Sequence, residues 1–368
     1  MCGIAGLIGI HANEEILGKM LEKQFHRGPD GEGRHHEQGL AIGMRRLSII
    51  DLEHGWQPLM SRKGRVLAFQ NGEIYNYKKL KKELELLGYH FTTQSDTEVL
   101  AHGYDAWGFD KLLKRIDGMY AIAILDRDSR VLHLARDRFG EKPLFYSAFS
   151  GQFAYASSLR SIAILPWFDN SIDPYGLDRY LALHYIPGEH TIFKHARRLL
   201  PGCSISVSID NPLPNGASPK YNRYYRIPLK TPFPVSQEEL NCEVENAVCS
   251  RLVADVPVGV FLSGGIDSSI IAALAARENP RISTYSIGFP GHSGDESIHA
   301  EAVAKHIGTK HQTFYFDSSK FHELLPQVAT ALDEPIGDQA TLPLFWLCRE
   351  ASLEVKVVLS GEGGDELF

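Results

Sequence analysis

The apolar residues of the first 200 positions fall into short runs, separated by turns that are rich in glycine or charge. Runs of this length and composition are typical of β-strands. Between them, Leu80, Leu84 and Leu87 recur at helical spacing, which predicts an amphipathic helix. Strands followed by helices and then by further strands predict an α+β domain of stacked sheets flanked by helices. The predicted strands cover residues 66–74, 119–125, 131–135, 143–148 and 152–156.

The pattern changes after residue 236, where helical and strand-like segments alternate. Five apolar residues at helical spacing predict one helical face, and the apolar run 258–262 is typical of a buried strand. This alternation predicts an α/β domain built on a parallel sheet, in which ligands bind beyond the carboxyl ends of the strands. The helical face comprises Leu240, Val244, Ala247, Val248 and Leu252, and the later segments are 283–289, 298–307, 314–316, 321–332 and 356–360.

The two patterns are separated by a stretch with the composition of a linker. Residues 210–220 (DNPLPNGASPK) are rich in Pro, Asn, Gly and Ser, and residues 228–234 continue as an extended connection. We therefore predict a first domain at residues 2–209, a linker at 210–235 and a second domain at 236–368.

Composition and charge exclude several classes of protein. Hydrophobic residues make up 43% of the chain and charged residues 23%, which is ordinary for a globular protein. A formal net charge of −7 gives no basic surface for nucleic acid, and no apolar run is long enough to span a membrane. The five cysteines form no CxxC pair and no even disulfide framework. We expect a cytoplasmic protein with no nucleic-acid or membrane partner.

The sequence SGGIDSS joins the apolar run 258–262 to a run of strong helix formers. A strand, a glycine turn and a helix N-terminus form an anion site, because free backbone N–H groups and the positive end of the helix dipole point into the turn. The GxxxxGK[ST] loop is absent. A carboxylate beside phosphates is repulsive unless a divalent cation lies between them, so we interpret Asp267 as a Mg²⁺ ligand. The predicted phosphate site consists of Ser263, Gly264, Gly265, Asp267, Ser268 and Ser269.

Residues 360–366 (SGEGGDE) place a similar combination of glycines and carboxylates at the end of a second predicted strand. Carboxylates beside glycines, in a chain that already has Asp267, suggest a Mg²⁺–pyrophosphate site completed from two strands. Each motif has a plainer alternative. The first can be an ordinary strand–turn–helix junction with Asp and Ser as caps, and the second a glycine-rich surface turn with solvated acids.

The chain begins with Met1-Cys2-Gly3. Loss of Met1 would leave Cys2 with both a nucleophilic sulfur and a free α-amine, which titrates near pH 8 and can act as the base for its own side chain. The alternative is a small second residue that merely permits removal of Met1. Cys2 alone therefore predicts little, and its companions decide between the two interpretations.

Four further residues fit a nucleophile that acts on a free amino acid. Asn71 and Gly72 offer the side-chain amide and the backbone N–H group that an oxyanion hole needs. Arg46 is suited to hold a carboxylate by a forked pair of bonds, and Asp96 to hold an ammonium group. Taken singly, Arg46 can pair with a surface carboxylate, Asn71-Gly72 can form a hairpin turn, and Asp96 can cap the helix that starts at Thr97. Together and in this order they fit glutamine.

These motifs carry a resemblance that spans essentially the whole chain. SGGIDSS resembles the pyrophosphate loop of the ATP pyrophosphatases, which activate a substrate as its adenylate. With the Cys2 end, the chain resembles the glutamine-hydrolysing asparagine synthetases of the bacterial type. The resemblance implies an Ntn-hydrolase (αββα) amidotransferase domain followed by an ATP-pyrophosphatase-type domain. Residues 26–31 and 136–140 also match family segments that support the site, whereas Glu141 stands where relatives commonly carry an apolar residue.

The resemblance also implies roles for individual residues. Cys2, Asn71, Gly72 and Glu362 would be catalytic, with Glu362 acting in the formation of the aspartyl-adenylate or in its attack by ammonia. Asp365 would join Asp267 at the metal. The AMP contacts would come from Leu262, Ile287, Ser360 and Gly361, and the glutamine site from Arg46, Leu47, Ser48, Ile49, Ile50, Asn71, Gly72, Glu73 and Asp96.

We therefore expect an enzyme that hydrolyses glutamine at Cys2 and uses ATP and Mg²⁺ to amidate aspartate, with release of AMP and pyrophosphate. One alternative is a related amidotransferase that acts on another carboxylate, and a second is a chain that is only a glutaminase. The family continues past the position of Phe368 with a helical stretch, so we expect a fragment with an incomplete second domain. A homodimer is expected from the resemblance.

Overall fold

The computed structural model describes residues 1–149, 151–212, 219–228 and 235–364. The predicted metal ligand Asp365 lies outside the described residues, as do residues 213–218 and 229–234 of the predicted linker.

The chain forms two compact units. The first contains Met1–Leu229 together with the short segment Asp333–Gly337, and the second contains Lys230–Leu332 and Asp338–Phe368. The limits that we gave for the two domains and the linker stay a prediction.

The first unit is built mainly from strands. Its strands are β1 (Gly3–Ile8), β2 (Gly31–Glu37), β3 (Leu40–Arg46), β4 (Leu59–Met60), β5 (Val66–Ile74), β6 (Gly118–Asp126), β7 (Val131–Arg136), β8 (Phe145–Phe149), β9 (Gln152–Ala156), β10 (Arg197–Arg198), β11 (Cys203–Ser208) and β12 (Asn222–Arg223). Its helices are α1 (Glu14–Glu22), α2 (Tyr77–Leu86), α3 (Glu98–Trp107), α4 (Phe109–Arg115), α5 (Leu159–Ala163) and α6 (Pro174–Leu183), with a 3₁₀ turn at Phe25–Arg27.

These strands form two six-stranded antiparallel sheets. The first has the order β10-β8-β9-β1-β3-β2 and the second the order β12-β11-β7-β6-β5-β4. The inner faces pack on each other, because alternate residues such as Leu67 and Phe69 of β5 join Ile4 and Ile42 of the other sheet in one buried cluster. The outer face of the first sheet is covered by α1 and α5, and α3 packs on β5. The unit is therefore an αββα sandwich, as expected.

Most of the predicted strands of this unit are confirmed. The intervals 66–74 and 152–156 coincide with β5 and β9, and two others fall inside β6 and β7. The strand predicted from residue 143 begins at Phe145 instead, since Pro143 has no backbone N–H group to donate to a sheet. In the predicted helical stripe Leu80 and Leu84 are buried, but Leu87 is 60% exposed because α2 ends at Leu86.

The second unit alternates helices and strands. Its elements are α7 (Gln237–Arg251), β13 (Val258–Phe261), α8 (Ile266–Glu278), β14 (Ser283–Gly288), α9 (Ser297–Ile307), β15 (Lys310–Tyr315), α10 (Ser318–Ala331), α11 (Thr341–Ala351) and β16 (Val357–Leu359). The four strands form a parallel sheet in the order β15-β14-β13-β16, which confirms the predicted architecture. Because the chain moves to β14 on one side of β13 and to β16 on the other, the carboxyl end of β13 lies at a topological switch point.

The apolar face predicted for α7 is largely wrong. Of its five residues only Val248 is buried, Leu252 packs on the same core at half burial, and Leu240 is 41% exposed. The helix is instead fixed at its start by a capping box between Ser236 and Glu239. Among the described residues, no helix combines the length and the apolar character needed to cross a membrane.

Candidate functional site

Cys2 lies directly before β1, at the end of the inter-sheet core. Its Sγ accepts a hydrogen bond from the Leu47 N–H at 3.4 Å and lies 3.6 Å from the Leu47 carbonyl oxygen. Burial raises the pKa of the Cys2 thiol, and the Leu47 N–H acts in the opposite direction. The sulfur is therefore a protonated thiol at neutral pH and needs a base before it can act as a nucleophile.

The start of the chain can supply such a base. Burial, with smaller contributions from the positive charges of Arg27 and Lys142, lowers the pKa of the Met1 α-amine to about 6, while Cys2 acts in the opposite direction. An amine at this position is mostly neutral at pH 7 and can accept a proton. The same surroundings would act on the α-amine of Cys2 once Met1 is removed.

Asn71 and Gly72 lie within β5 and pair with Ala121 and Tyr120 of β6, so the hairpin-turn interpretation is wrong. Gly72 has φ +148°, and a Cβ there would stand 2.0 Å from the Met119 carbonyl oxygen, so a side chain cannot be accommodated without moving β6. Asn71 Nδ2 donates to Ser157 Oγ at 3.2 Å. Its Oδ1 is buried and bonds to no described residue.

Two buried acids lie next to this strand end. Asp96 Oδ2 accepts from Gln70 Nε2 at 2.9 Å and from the Ile74 N–H at 2.8 Å. Burial raises the pKa of Asp96. Burial and the charge of Asp96 together raise the pKa of Glu73 to about 7, and Glu73 Oε1 has no hydrogen-bond partner among the described residues. A buried acidic pair of this kind favours a cationic ligand.

Arg46 holds the loop that follows Ile49. Its guanidinium donates to the carbonyl oxygens of Asp51 at 2.6 Å, Ile50 at 3.2 Å and Leu52 at 3.3 Å, and lies 4.9 Å from the centre of the Trp56 ring. The partners are carbonyl groups rather than a surface carboxylate. Nε–H and one Nη1–H are not used by these three bonds, so the forked carboxylate contact stays a prediction.

These groups surround one cleft, the Cys2 cleft, which has a cavity volume of about 50 Å³ and is partly open to solvent. Ser48 is the one residue of the predicted glutamine set that does not line it, and its N–H donates to Asp30 Oδ2 at 2.8 Å instead. The lining comprises Met1, Cys2, Arg46, Leu47, Ile49, Ile50, Gly55, Gln57, Asn71, Gly72, Glu73, Ser95, Asp96, Thr97, Met119 and Lys142.

Lys142 is the charged lining residue that the sequence reasoning missed. Its ammonium lies 3.2 Å from Met1 Sδ, and its side chain is only 7% exposed. The preceding segment holds it there, since Asp137 accepts from the Lys142 N–H at 3.0 Å and Arg136 donates to the Lys142 carbonyl oxygen at 2.7 Å. The signal was a lysine two positions beyond the predicted support segment 136–140.

The second candidate site lies at the carboxyl edge of the parallel sheet. Gly264 has φ +90°, and Gly265 is the N-cap of α8 without a side-chain capping bond, so the interpretation of Asp and Ser as caps is wrong. Ser268 Oγ lies 3.0 Å from Ser263 Oγ and donates to the Gly265 carbonyl oxygen at 3.2 Å. The turn between β13 and α8 is thereby closed by hydroxyl groups.

The other predicted nucleotide contacts lie at the same edge. Leu262 follows β13 and its N–H donates to the Tyr285 carbonyl oxygen at 2.8 Å, Ile287 is near the end of β14, and Ser360 follows β16. Glu362 and Ser360 are exposed. The structure therefore brings the ends of three neighbouring strands together, as expected for a ligand site in this architecture.

The two glycine turns approach each other closely around Asp267. A Cβ at Gly364 would stand 2.6 Å from Asp267 Cγ, and one at Gly361 would stand 2.9 Å from the Ser268 nitrogen. Ser269 Oγ is buried and bonds to no described residue. In the described part of the chain, no three His, Cys, Asp or Glu side chains gather as metal ligands. Mg²⁺ fits such a sparse site, because it commonly uses one or two carboxylates, water and substrate phosphates.

Models of two known domain families match successive parts of the chain. The sequence model of the glutamine amidotransferase domain matches residues 1–215, and that of asparagine synthase matches residues 239–368. A putative asparagine synthetase (glutamine-hydrolyzing) 2 of Methanocaldococcus jannaschii is 32% identical over the whole chain, which covers 75% of that relative. The chain belongs to the family of glutamine-hydrolysing asparagine synthetases. The two regions stand in the predicted order, with the glutamine amidotransferase region first and the asparagine synthase region second.

Two other relatives of the asparagine synthetase family are similar along the entire chain. Asparagine synthetase (glutamine-hydrolyzing) 1 of Bacillus subtilis is 35% identical, and a putative asparagine synthetase of Mycobacterium tuberculosis is 40% identical. The chain spans 58% of the length of each of these relatives.

Proposed function

We propose that this chain hydrolyses glutamine at Cys2 and transfers the ammonia to the β-carboxylate of aspartate, which it activates with ATP, so that asparagine, AMP and pyrophosphate form. The observation that carries the proposal is the Cys2 cleft, where a thiol, the side-chain amide of Asn71 and the acidic pair Glu73–Asp96 share one space. The similarity to asparagine synthetases supports the choice of aspartate as the acceptor.

In the glutaminase half, the Cys2 sulfur attacks the side-chain amide carbon of glutamine after the α-amine of Cys2 has taken the thiol proton. The Asn71 amide and the Gly72 N–H stabilise the negative oxygen of the tetrahedral intermediate. The amine returns the proton to the leaving nitrogen, and ammonia departs. Water then cleaves the glutamyl thioester to glutamate. Glu73 and Asp96 hold the α-ammonium group of the substrate, and Arg46 its α-carboxylate.

In the synthetase half, the turn between β13 and α8 binds the phosphates of ATP through backbone N–H groups and the hydroxyls of Ser263, Ser268 and Ser269. Leu262, Ile287, Ser360 and Gly361 contact the AMP portion. Asp267 and Asp365 would hold Mg²⁺, which when bound would supply positive charge for the departing pyrophosphate. Glu362 acts near the adenylated carboxylate.

The experiment compares the wild type with Cys2→Ala, and uses Cys242→Ala as a control because Cys242 is an exposed thiol on α7. Glutamate release and AMP formation are measured with glutamine or with ammonium chloride as the nitrogen source. We expect Cys2→Ala to lose all glutamine-driven reactions and to keep the ammonia-driven one. Persistence of glutamate release in Cys2→Ala would overturn the assignment.

A second assay identifies the acceptor. Pyrophosphate release is measured with aspartate and with a panel of other carboxylic acids. Dependence on aspartate supports the asparagine synthetase reaction, whereas dependence on another acid indicates a relative that acts on a different carboxylate. Glutamate release without pyrophosphate release for any acid would reduce the proposal to a glutaminase.

The proposal also covers the cellular location and the oligomeric state of the protein. We infer a cytoplasmic location, since a catalytic Cys2 thiol has to stay reduced and all five cysteines of the structure are free. We also propose a homodimer, which light scattering on the purified protein will test.

A further inference from the structure

A short segment within the synthase region is anchored in the amidotransferase unit. Residues Asp333–Gly337 lie inside the interval 239–368 that the asparagine synthase model matches, yet they belong to the first compact unit. The Gly337 N–H donates to the His184 carbonyl oxygen at 2.8 Å, and Glu334 forms an ion pair with Arg198. The segment is thus fixed at both ends.

The carboxylate of Asp333 makes the most specific of these contacts. Its Oδ1 accepts a hydrogen bond from Ser158 Oγ at 2.5 Å and a second from the Arg160 N–H at 3.3 Å. Ser158 is 1% exposed and is the N-cap of α5, so its hydroxyl has little freedom to find another partner. A carboxylate acceptor makes this bond stronger than one between neutral groups.

The neighbour of Ser158 in the chain is part of the Cys2 cleft's support. Ser157 Oγ accepts from Asn71 Nδ2 at 3.2 Å and from the Ile4 N–H at 3.1 Å, and Ser157 is fully buried. The Ser157 N–H in turn donates to the Ile4 carbonyl oxygen at 2.8 Å. Whatever fixes the backbone at Ser158 therefore fixes the hydroxyl that orients the amide of Asn71.

A second route leads from Asp333 to the nucleophile through charge. Arg27 Nε donates to the Cys2 carbonyl oxygen at 3.2 Å, and Arg27 Nη2 is buried without a hydrogen bond to any described residue. Burial lowers the pKa of Arg27, and the negative charge of Asp333 is the largest effect that opposes this shift. Asp333 thus compensates the buried cation that holds the backbone of Cys2.

We propose that Asp333 is a positioning residue of the glutaminase site, which fixes the oxyanion-hole amide of Asn71 through Ser158 and Ser157. The inference rests on the proposed glutaminase function of Cys2. It means that the synthase region of the chain supplies a residue on which glutamine hydrolysis depends.

The test uses Asp333→Asn, which keeps the size of the side chain but removes its charge and so weakens the hydrogen bond from the Ser158 hydroxyl. We expect kcat for glutamine hydrolysis to fall about tenfold while KM stays within about twofold, because positioning of the oxyanion hole acts on the transition state rather than on substrate binding. Glu334→Gln is the matched control, since it removes the neighbouring charge of the same segment without touching Ser158 or Arg27.

A second measurement reports on the position of Asn71 without any turnover. The side-chain amide signal of Asn71, assigned by its loss in Asn71→Asp, is followed by NMR in the wild type and in both variants. We expect this signal to move by more than its line width in Asp333→Asn and to stay in place in Glu334→Gln. Ser158→Ala, which keeps the charge and removes only the hydrogen bond, replaces Asp333→Asn if that variant does not fold.

The outcomes separate the inference from the function on which it rests. A wild-type chain that releases no glutamate would refute the proposed function, and the Asn71 signal would then decide the inference by itself. A wild type that hydrolyses glutamine, with Asp333→Asn equal to Glu334→Gln in kcat and in the Asn71 signal, would overturn the inference and leave the function standing.

Discussion

The Cys2 cleft and the carboxyl edge of the parallel sheet differ in where their charges lie. In the Cys2 cleft the acids Glu73 and Asp96 are 6% and 5% exposed, and burial raises the pKa of both. At the carboxyl edge Ser263, Gly265 and Glu362 are exposed, and Asp267 is half-buried between glycine turns.

The difference shows two ways of preparing a site for a charged ligand. The Cys2 cleft carries two buried acids, so the free protein bears a desolvation cost that a cationic ligand relieves. The carboxyl edge offers backbone donors and small residues that leave room for a phosphate chain, and its charges remain in contact with water. Variants at the two sites should therefore fail in different ways.

The largest effect is expected from Asp267→Asn, which acts at the carboxyl edge alone. Loss of the metal-binding carboxylate is expected to lower ATP-dependent pyrophosphate release by about 100-fold or more, because a bound divalent ion supplies several kcal/mol of charge stabilisation. Glutamate release from glutamine should not change. The readouts are pyrophosphate and glutamate release on the same preparation.

Glu278→Gln serves as the control for Asp267→Asn, since Glu278 is an exposed acid at the far end of α8. Equal pyrophosphate release by Asp267→Asn and Glu278→Gln would remove Asp267 from the site.

The second largest effect is expected from Gly72→Ala, which acts on the Cys2 cleft only through a steric collision. The new Cβ would stand 2.0 Å from the Met119 carbonyl oxygen, at a residue with φ +148°, so β5 and β6 must separate where the oxyanion hole lies. We expect glutamate release to fall by about 100-fold, as for displacements of about 1 Å at a reacting centre. Thermal unfolding, followed by circular dichroism, should also occur at a lower temperature.

The control for Gly72→Ala is Gly88→Ala, at a glycine with φ +87° where an added methyl group would have no atom within 4 Å. Gly88→Ala introduces the strain of a side chain at positive φ but no steric collision. If both variants lose glutamate release equally, the collision with Met119 is not what matters.

The strands that contain clear apolar runs, and the motifs that stand at strand ends, could be predicted from the sequence. The strand 66–74 was found to the residue, because its apolar run ends in the Asn71-Gly72-Glu73 sequence. By contrast, β2 (Gly31–Glu37) has the sequence GEGRHHE, with no apolar side chain, and it is a strand only because it pairs with β3.

The same limit applies to the two sites. Cys2, Asn71, Glu73 and Asp96 were predictable because each residue type matches a chemical task and the family resemblance orders them. Lys142 was missed, since its approach to the cleft depends on the fold of the preceding segment. The contacts of Asp333 with Ser158 and Arg160 span more than 170 residues of sequence, and only the folded chain shows them.

A smaller effect is expected from Glu73→Gln, and it depends on pH. The pKa of Glu73 is raised from 4.5 to about 7, so the folded protein binds this proton more tightly than the unfolded chain does. Its contribution to stability is present below pH 4.5 and is lost as the pH rises through 7. Glu73→Gln should therefore raise the free energy of unfolding at pH 8 by roughly 2–3 kcal/mol and change it little at pH 4.5.

The affinity for glutamine should fall in Glu73→Gln at the pH at which the stability of this variant rises. At pH 8 the KM for glutamine should rise about tenfold in Glu73→Gln, because the substrate ammonium loses a buried anionic partner, and the two proteins should converge near pH 5.5. The measurements are urea unfolding and glutamate release across this range, with the exposed Glu85→Gln as control. A gain in stability that is the same at both pH values would contradict the assigned pKa.

The smallest effect distinguishes the charge of Lys142 from its bulk. Lys142 and the α-amine at the chain start oppose the upward shift in the pKa of Glu73, while burial and Asp96 cause it. Lys142→Met preserves the length of the side chain and removes the charge, so the pKa of Glu73 should rise further. The pH below which the KM for glutamine increases should then move upward by up to about one unit, with a change of a few-fold in KM at pH 7.5. Lys82→Met, at an exposed position of α2, should leave the profile in place. If the KM for glutamine changes in Lys142→Met but its pH dependence does not move along the pH axis, then Lys142 fills space in the cleft and does not set the charge of Glu73.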